Sequence, residues 1–371
     1  MEFIDLKTQQ KKIRTKIEER ILAILDHGKY IMGPEVFELE NQLAKYVGVK
    51  YCISCASGTD ALLIPLMAKG IGPGDAVITT PFTYIATAEV IALLGAEPVF
   101  ADIYPNTFNI DPAEIKKAIK RAKIRGLTPK AIIPVDLFGL PARHRIIDEI
   151  AESENLFVID DAAQAFGGSI RSKKAGAFGN VGSTSFFPAK PLGCYGDGGA
   201  IFTDDESLAE IMKSIRVHGS SSNKYENIRI GINGRLDTIQ GAILLEKLSI
   251  FDNELTQRNR IAKYYNERIS SKFQKPYVPN KYFSSWAQYS LLAKNQNHKK
   301  ETIISLKKFN IPVMTYYKTP LHLQKCFSEL DYKVGDFPVS EECSKRIFSL
   351  PMHPYLRSKE QDFIIKVLNN E

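Results

Sequence analysis

Isoleucines three or four positions apart form a stripe over residues 9 to 26, which predicts an amphipathic helix. Gly33-Pro34 interrupts this pattern. A second stripe of apolar residues then ends at Gly48, and glycine is the residue type that most often follows a helix. We therefore expect the chain to begin with two helices.

Short apolar runs then alternate with segments of helical periodicity. The predicted strands are residues 76–79, 98–102, 131–135, 156–160, 182–187 and 199–203. The helices predicted between them are 59–69, 86–94 and a segment around 145–152. Short apolar strands separated by helices are typical of a parallel sheet that is covered on both faces. The pattern predicts an α/β fold with a mostly parallel sheet sandwiched by helices.

The pattern changes near residue 250. A long helix is predicted over residues 236–266, and a strand is predicted at residues 286–293, in the C-terminal third of the chain. We predict a large α/β domain over residues 1–250, including the N-terminal helices, and a small α+β domain over residues 251–371.

Composition limits the class of protein. Of the 371 residues, 44% are hydrophobic and 25% are charged, as in ordinary globular proteins. No apolar stretch approaches the roughly 20 residues that span a bilayer, and no secretory signal opens the chain. We expect a cytoplasmic protein without a membrane partner.

The net charge is +7, and the densest basic stretch covers residues 116–125. Apolar residues at helical spacing lie within it, so its charges are expected on the solvated face of a helix, and no nucleic-acid partner is predicted. Cys52 and Cys55 form a CxxC pattern without a second pair or metal-spaced histidines. We expect small buried residues there and no metal site.

Lys190 is the first candidate for chemistry. It follows a predicted strand, lies between Pro188 and Pro191, and precedes a glycine-rich segment. A lysine on a stiff turn at the carboxyl end of a strand can face a ligand crevice. An ordinary surface lysine is the alternative.

Two further clusters follow strands or open helices. Asp160 and Asp161 end an apolar strand, where a carboxylate can reach a ligand above the sheet; capping of a helix is the alternative. Gly58 and Thr59 open a helix whose N-terminal amides could hold a phosphate, although an ordinary capped helix fits equally well.

Together these clusters resemble the DegT/DnrJ/EryC1/StrS family of pyridoxal-phosphate sugar aminotransferases, and the resemblance spans nearly the whole chain. The motifs that carry it are Ser57-Gly58-Thr59-Asp60-Ala61-Leu62, Phe82-Thr83-Tyr84, Asp161-Ala162-Ala163-Gln164, Ser185-Phe186-Phe187-Pro188-Ala189-Lys190, Gly196-Asp197-Gly198-Gly199 and Gly231-Ile232-Asn233-Gly234-Arg235. The resemblance implies the fold of type I pyridoxal-phosphate transferases, which is similar to that of aspartate aminotransferase.

The resemblance also implies roles. Lys190 would bind the cofactor pyridoxal 5'-phosphate covalently and then move the proton, and Asp161 would pair with the pyridine nitrogen. Gln164 would bind the phenolic oxygen of the cofactor, and Tyr84 would stack on its ring. For Tyr84 a buried core aromatic is the alternative.

The phosphate and substrate residues complete the set that the family implies. Gly58, Thr59 and Ser185 would hold the phosphate, and Asn233 would reach it from the other subunit, so the active unit would be a homodimer. Arg235 would lie near the anionic groups of the substrate, again across the interface.

Within the family, the resemblance is strongest to enzymes that aminate C3 of a UDP-linked 2-acetamido-3-keto hexuluronic acid. It implies L-glutamate as amino donor and a product for surface polysaccharide such as O-antigen. One departure is Tyr316, which stands where relatives typically carry a substrate-side histidine. A C3 or C4 aminotransferase of a dTDP- or UDP-linked keto-6-deoxyhexose remains an alternative, as does a non-catalytic regulator or scaffold that binds the cofactor.

Overall fold

The computed structural model describes residues 1–223 and 225–370. Its α-helices, α1 to α11 in chain order, are Leu6–His27, Pro34–Val47, Gly58–Ala68, Ala86–Leu93, Pro112–Ile124, His144–Glu154, Glu206–Arg216, Thr238–Arg268, Gln296–Lys308, Pro338–Arg346 and Ser358–Asn369. Its strands, β1 to β12, are Tyr51–Cys55, Asp75–Thr79, Glu97–Phe100, Thr128–Ile132, Phe157–Asp161, Ser169–Ile170, Lys173–Lys174, Val181–Ser185, Gly199–Thr203, Tyr282–Phe283, Tyr289–Leu292 and Ile347–Leu350.

A seven-stranded sheet forms the centre of the molecule, in the order β1-β9-β8-β5-β4-β2-β3. Strands β2, β3, β4, β5 and β8 pair in parallel, whereas β9 runs antiparallel to both of its neighbours. Each face is covered by helices through its own apolar clusters. The prediction of a mostly parallel sheet sandwiched by helices is confirmed.

Local chemistry explains where several elements begin and end. The side chain of Ser57 accepts a hydrogen bond from the Asp60 amide at 3.0 Å and so caps α3. The strand predicted at residues 131–135 lies at Thr128–Ile132 instead. Pairing with β2 sets these bounds, since Asp75 to Ile78 of β2 lie opposite Thr128 to Ile132. Helix α5 buries Ile115 and Ile119 and carries its basic residues on the other face, as expected.

The long predicted helix is present as α8, Thr238–Arg268, and it passes through position 250 without a break. Phe251 and Leu255 pack into a cluster with residues of the large sheet, whereas Ile261 packs with β11, β12 and α11. One helix therefore contributes to both cores, and the domain limit at residue 250 stays a prediction.

Two further sequence expectations concern the cysteines and membrane-spanning segments. Cys52 and Cys55 are buried free thiols on β1, in agreement with the prediction. In the described parts of the chain, no helix combines the length and the apolar character needed to cross a bilayer.

Candidate active site

The candidate residues collect at one edge of the central sheet. Strands β1, β2, β5 and β8 all point the same way, so their carboxyl ends lie side by side. The segments that follow these ends carry Gly58, Tyr84, Gln164 and Lys190 respectively. Ligands of open α/β sheets bind at this edge, which makes it the candidate active site.

Lys190 lies on a tight turn beyond β8. Its amide donates a hydrogen bond to the Phe187 carbonyl at 2.9 Å, and its side chain is half-buried. Burial lowers the pKa of the Lys190 ammonium, and the nearby carboxylate of Asp161 partly opposes this effect. Lys190 therefore differs from an ordinary surface lysine.

Asp161 ends β5 with only 3% of its surface exposed. Thr87 donates its hydroxyl to Oδ2 at 2.9 Å, and the Ala163 amide donates to Oδ1 at 3.2 Å. Burial raises the pKa of Asp161, while these hydrogen bonds and the charge of Lys190 lower it. The chain continues from Asp161 into turns, so the alternative that Asp160 or Asp161 caps a helix is wrong.

The amide of Gln164 is held in one orientation. Its Oε1 accepts from the Phe138 amide at 3.0 Å, so its Nε2 is free to donate to the Tyr317 hydroxyl, also at 3.0 Å. The Tyr316 ring lies 5.9 Å from that of Tyr317. Tyr317 thus connects Gln164 with Tyr316.

Tyr84 is 57% exposed, which excludes the alternative of a buried core aromatic. The exposed ring lies on the loop beyond β2. Because the Tyr84 ring is exposed, a planar ligand can stack on it.

Gly58 and Ser185 meet where the N-terminus of α3 reaches the end of β8. A Cβ atom added to Gly58 would lie 2.5 Å from the Ser185 Cβ and 2.9 Å from its Oγ. Thr59 is the next residue of the same first helical turn. Helix N-terminal amides beside the Ser185 hydroxyl form a suitable phosphate cradle.

Asn233 and Arg235 are arranged differently. Arg235 donates to the Asn233 Oδ1 through Nε at 3.1 Å and through Nη2 at 2.6 Å, and the Asn233 side chain is exposed. Between them, the Gly234 carbonyl accepts from the Ala56 amide at 2.9 Å. The pair therefore lies beside the start of α3, with Asn233 exposed and Arg235 partly exposed.

A buried acid–histidine cluster behind Asp161 escaped the sequence analysis. His144 Nε2 lies 2.8 Å from Asp136 Oδ1 and 3.4 Å from Asp160 Oδ1, and Phe178 stacks on the imidazole at 4.2 Å. Burial raises the pKa of both carboxyls and lowers the pKa of His144. Because the Asp136 amide donates to the Asp161 carbonyl at 3.0 Å, the cluster supports the end of β5.

Thr87 and Tyr317 were also missed. Thr87 lies in the first turn of α4, and nothing in the neighbouring sequence marks it as a partner of Asp161. For Tyr317 the sequence holds no local signal, since its partner Gln164 is 153 positions away.

The donor set suits pyridoxal 5'-phosphate. It combines a lysine whose pKa is lowered by burial, a buried carboxylate held by two donors, an amide donor and a phosphate cradle that a Cβ on Gly58 would fill. Fold and site together define a pyridoxal-phosphate-dependent transferase of fold type I.

The chain belongs to the DegT/DnrJ/EryC1/StrS aminotransferase family, whose model matches residues 11–369. It is 47% identical over 373 residues to a UDP-2-acetamido-2-deoxy-3-oxo-D-glucuronate aminotransferase of Pseudomonas aeruginosa, with 100% of both chains covered. It also resembles the crystal structure of a family member from Brucella abortus, with a TM-score of 0.96, 50% identity and coverage of 100% of this chain and 99% of that chain.

A third relative carries the cofactor. The structure of NtdA from Bacillus subtilis with bound pyridoxamine phosphate has a TM-score of 0.89 and 28% identity, and covers 99% of this chain and 82% of that chain. The protein is a pyridoxal-phosphate-dependent sugar aminotransferase, and the predicted family, fold and cofactor are confirmed.

Proposed function

We propose that this enzyme transfers the amino group of L-glutamate to the C3 keto carbon of a nucleotide-linked sugar, a UDP-2-acetamido-2-deoxy-3-keto-hexuluronic acid. The product would be a 3-amino uronic acid for surface polysaccharide such as the O-antigen of lipopolysaccharide. The main support is the full-length match to the Pseudomonas aeruginosa relative, which acts on a sugar of this class.

The charge of the protein agrees with this substrate. The net charge is +7, and Arg235 is partly exposed beside the start of α3. A uronic acid bound to UDP carries a carboxylate and two phosphates, which an excess of positive charge attracts. Arginine pairs with such groups through two parallel hydrogen bonds.

When bound, pyridoxal phosphate supplies a carbon that accepts the amino group and a protonated ring that withdraws electrons. Lys190 would hold it covalently and, once released by the substrate, take up and return a proton at Nζ. The lowered pKa suits this role, because a neutral amine is both the nucleophile and the base.

The other residues would bind and orient the cofactor. Asp161 would keep a proton on the pyridine nitrogen, and it is held for this by Thr87 and the Ala163 amide. Gln164 would donate its Nε2 proton to the phenolic oxygen, and Tyr84 would stack on the ring. Gly58, Thr59 and Ser185 would bind the phosphate.

We further propose a cytoplasmic homodimer with shared sites. Asn233 would reach the phosphate, and Arg235 the substrate anion, in the partner subunit. The exposure of the Asn233 side chain is what a residue serving another chain requires.

A second candidate is amination of a dTDP- or UDP-linked keto-6-deoxyhexose. The observation in its favour is Tyr316, a half-buried tyrosine whose ring lies 6.4 Å from that of Phe3. The resemblance places Tyr316 where relatives typically carry a substrate-side histidine, and the loss of that imidazole favours a sugar without a carboxylate.

The test is mass spectrometry of the products formed from glutamate and a panel of UDP- and dTDP-keto sugars, with the wild type and with Tyr316→His. We expect amination of the UDP-linked 3-keto uronic acid, at least about tenfold faster than of the deoxy sugars. Faster amination of a 6-deoxy sugar would select the second candidate. If glutamate yields no 2-oxoglutarate with any sugar, the non-catalytic regulator is the better description.

A further inference from the structure

A buried lysine on α8 supports the turn that carries Lys190. Lys247 is 1% exposed, although lysine is rarely buried without a partner because desolvation of an ammonium is unfavourable. Burial lowers its pKa to about 8, against the opposing effect of Glu254. Among the described residues, Lys247 forms no ion pair within 4.0 Å.

The hydrogen-bond partner of Lys247 is a backbone carbonyl. Its Nζ donates to the carbonyl oxygen of Gly193, and the Tyr195 ring lies 4.8 Å from Nζ. An ammonium that donates to a carbonyl forms a charge-assisted bond, which is stronger than a neutral one. The buried charge therefore fixes the position of Gly193.

Gly193 in turn packs on the Lys190 turn. A Cβ on Gly193 would lie 2.5 Å from the Phe187 carbonyl oxygen and 2.7 Å from that of Pro188. The Phe187 carbonyl also accepts from the Lys190 amide at 2.9 Å. A displacement of Gly193 would therefore be transmitted to the backbone of Lys190 through direct contact.

Helix α8 holds this segment at a second point. Gln240 Oε1 accepts from the Tyr195 amide at 2.9 Å. Gln240 and Lys247 are seven residues apart, which places them about two turns apart on one face of the helix. Helix α8 therefore holds the residues that follow the Lys190 turn at two points, Gly193 and Tyr195.

We propose that Lys247 is a positioning residue that holds the Lys190 turn in its reactive geometry through the Gly193 carbonyl. The inference rests on the role proposed for Lys190. Lys247 reaches that turn only through backbone atoms, so its removal changes the placement of the reacting amine and not the binding of glutamate. Displacement by about 1 Å can lower a rate about a hundredfold.

The experiment compares Lys247→Met, Lys247→Arg and the wild type, each loaded with cofactor. Methionine keeps the length and removes the donor, whereas arginine keeps a charged donor. We expect Lys247→Met to lower kcat at least about tenfold while KM for glutamate changes less than about twofold. We expect Lys247→Arg to recover part of the loss. Lys263→Met, at an exposed position of α8, is the matched control.

A second readout does not depend on turnover. Borohydride reduction links the cofactor to its lysine, and we expect Lys247→Met to change the rate of this trapping and the pH midpoint of the cofactor absorbance. Unchanged kcat, trapping rate and midpoint, with only a lower melting temperature, would make Lys247 a structural residue and overturn the proposal. If Lys247→Met does not fold, Lys247→Gln replaces it in the same assays.

The two proposals fail in different ways. If the wild-type protein is not trapped at Lys190, the role proposed for Lys190 is wrong. If the wild type is trapped at Lys190 and turns over, but the position 247 variants match it, only the inference about Lys247 is wrong.

Discussion

The first residue of helix α3, Gly58, is in direct contact with Ser185 at the end of strand β8. A side chain at position 58 would bring two Cβ atoms within 2.5 Å, so the helix N-terminus can reach the strand only because residue 58 is glycine.

Replacement of this glycine should weaken cofactor binding. In Gly58→Ala the methyl group must push α3 or β8 aside, and this separates the amides from the hydroxyls that would bind the phosphate. We expect the Kd for pyridoxal phosphate to rise at least about tenfold, measured by absorbance titration. Gly72→Ala is the control, since its Cβ would come no closer than 3.9 Å to the nearest atom. Equal effects of both changes would contradict this account.

Removal of the reactive amine should abolish turnover without unfolding the protein. Lys190→Ala is expected to lower the transamination rate by roughly a thousandfold or more, because nucleophile and base are lost together. The circular dichroism spectrum should stay unchanged, since the side chain is only half-buried. Lys117→Ala, on the exposed face of α5, is the control. Wild-type activity in Lys190→Ala would disprove the assignment.

Thr87 should matter because it holds Asp161. Thr87→Val keeps the shape but leaves the buried Oδ2 without this donor, and the pKa of Asp161 should rise. An unsatisfied buried acceptor costs about 1–3 kcal/mol, so we expect kcat to fall about tenfold in steady-state assays.

Thr79→Val provides the comparison. Thr79 is equally buried and donates to the Ile133 carbonyl at 2.8 Å, within the sheet. The variant Thr79→Val should have a lower free energy of unfolding, while its kcat stays within about twofold of the wild type. A similar kcat in both valine variants would show that Thr87 does not act through Asp161.

Shared sites predict that two inactive variants complement each other. In a mixture of Lys190→Ala and Asn233→Ala, each heterodimer combines an intact Lys190 with a partner that supplies Asn233. Random exchange of subunits should restore about a quarter of the wild-type activity. No recovery, with subunit exchange demonstrated by mass spectrometry, would show that each chain completes its own site.

His353 should make stability depend on pH. Burial, helped by the charge of Arg258, lowers its pKa from 6.5 to about 4. Between these values the unfolded chain binds a proton that the folded chain does not, so the free energy of unfolding falls as pH falls through this window. Relative to the non-titrating His353→Phe, the wild type should lose about 2 kcal/mol more between pH 7.5 and pH 5. If urea unfolding shows the same loss of unfolding free energy in the wild type and in His353→Phe, the lowered pKa of His353 is contradicted.

The elements were largely predictable because their signals are local. The stripe of isoleucines over residues 9 to 26 corresponds to α1, Leu6–His27, and the run at residues 199–203 is β9. The strand around residue 131 was displaced because pairing with β2 determines where β4 begins, and a single run of residues does not contain its partner.

The site was predictable where motifs follow strand ends, and not where contacts join distant parts of the chain. The sequence alone determined that Lys190 follows a strand, that Asp161 lies at the end of one and that Gly58 opens a helix. Hydrophobic periodicity reveals such positions because it is a property of neighbouring residues. Only the tertiary structure decided that Thr87 holds Asp161, that Tyr317 meets Gln164 and that Lys247 reaches Gly193. These contacts span 74, 153 and 54 positions, and the folding of distant segments onto one another, which no local pattern encodes, brings them together.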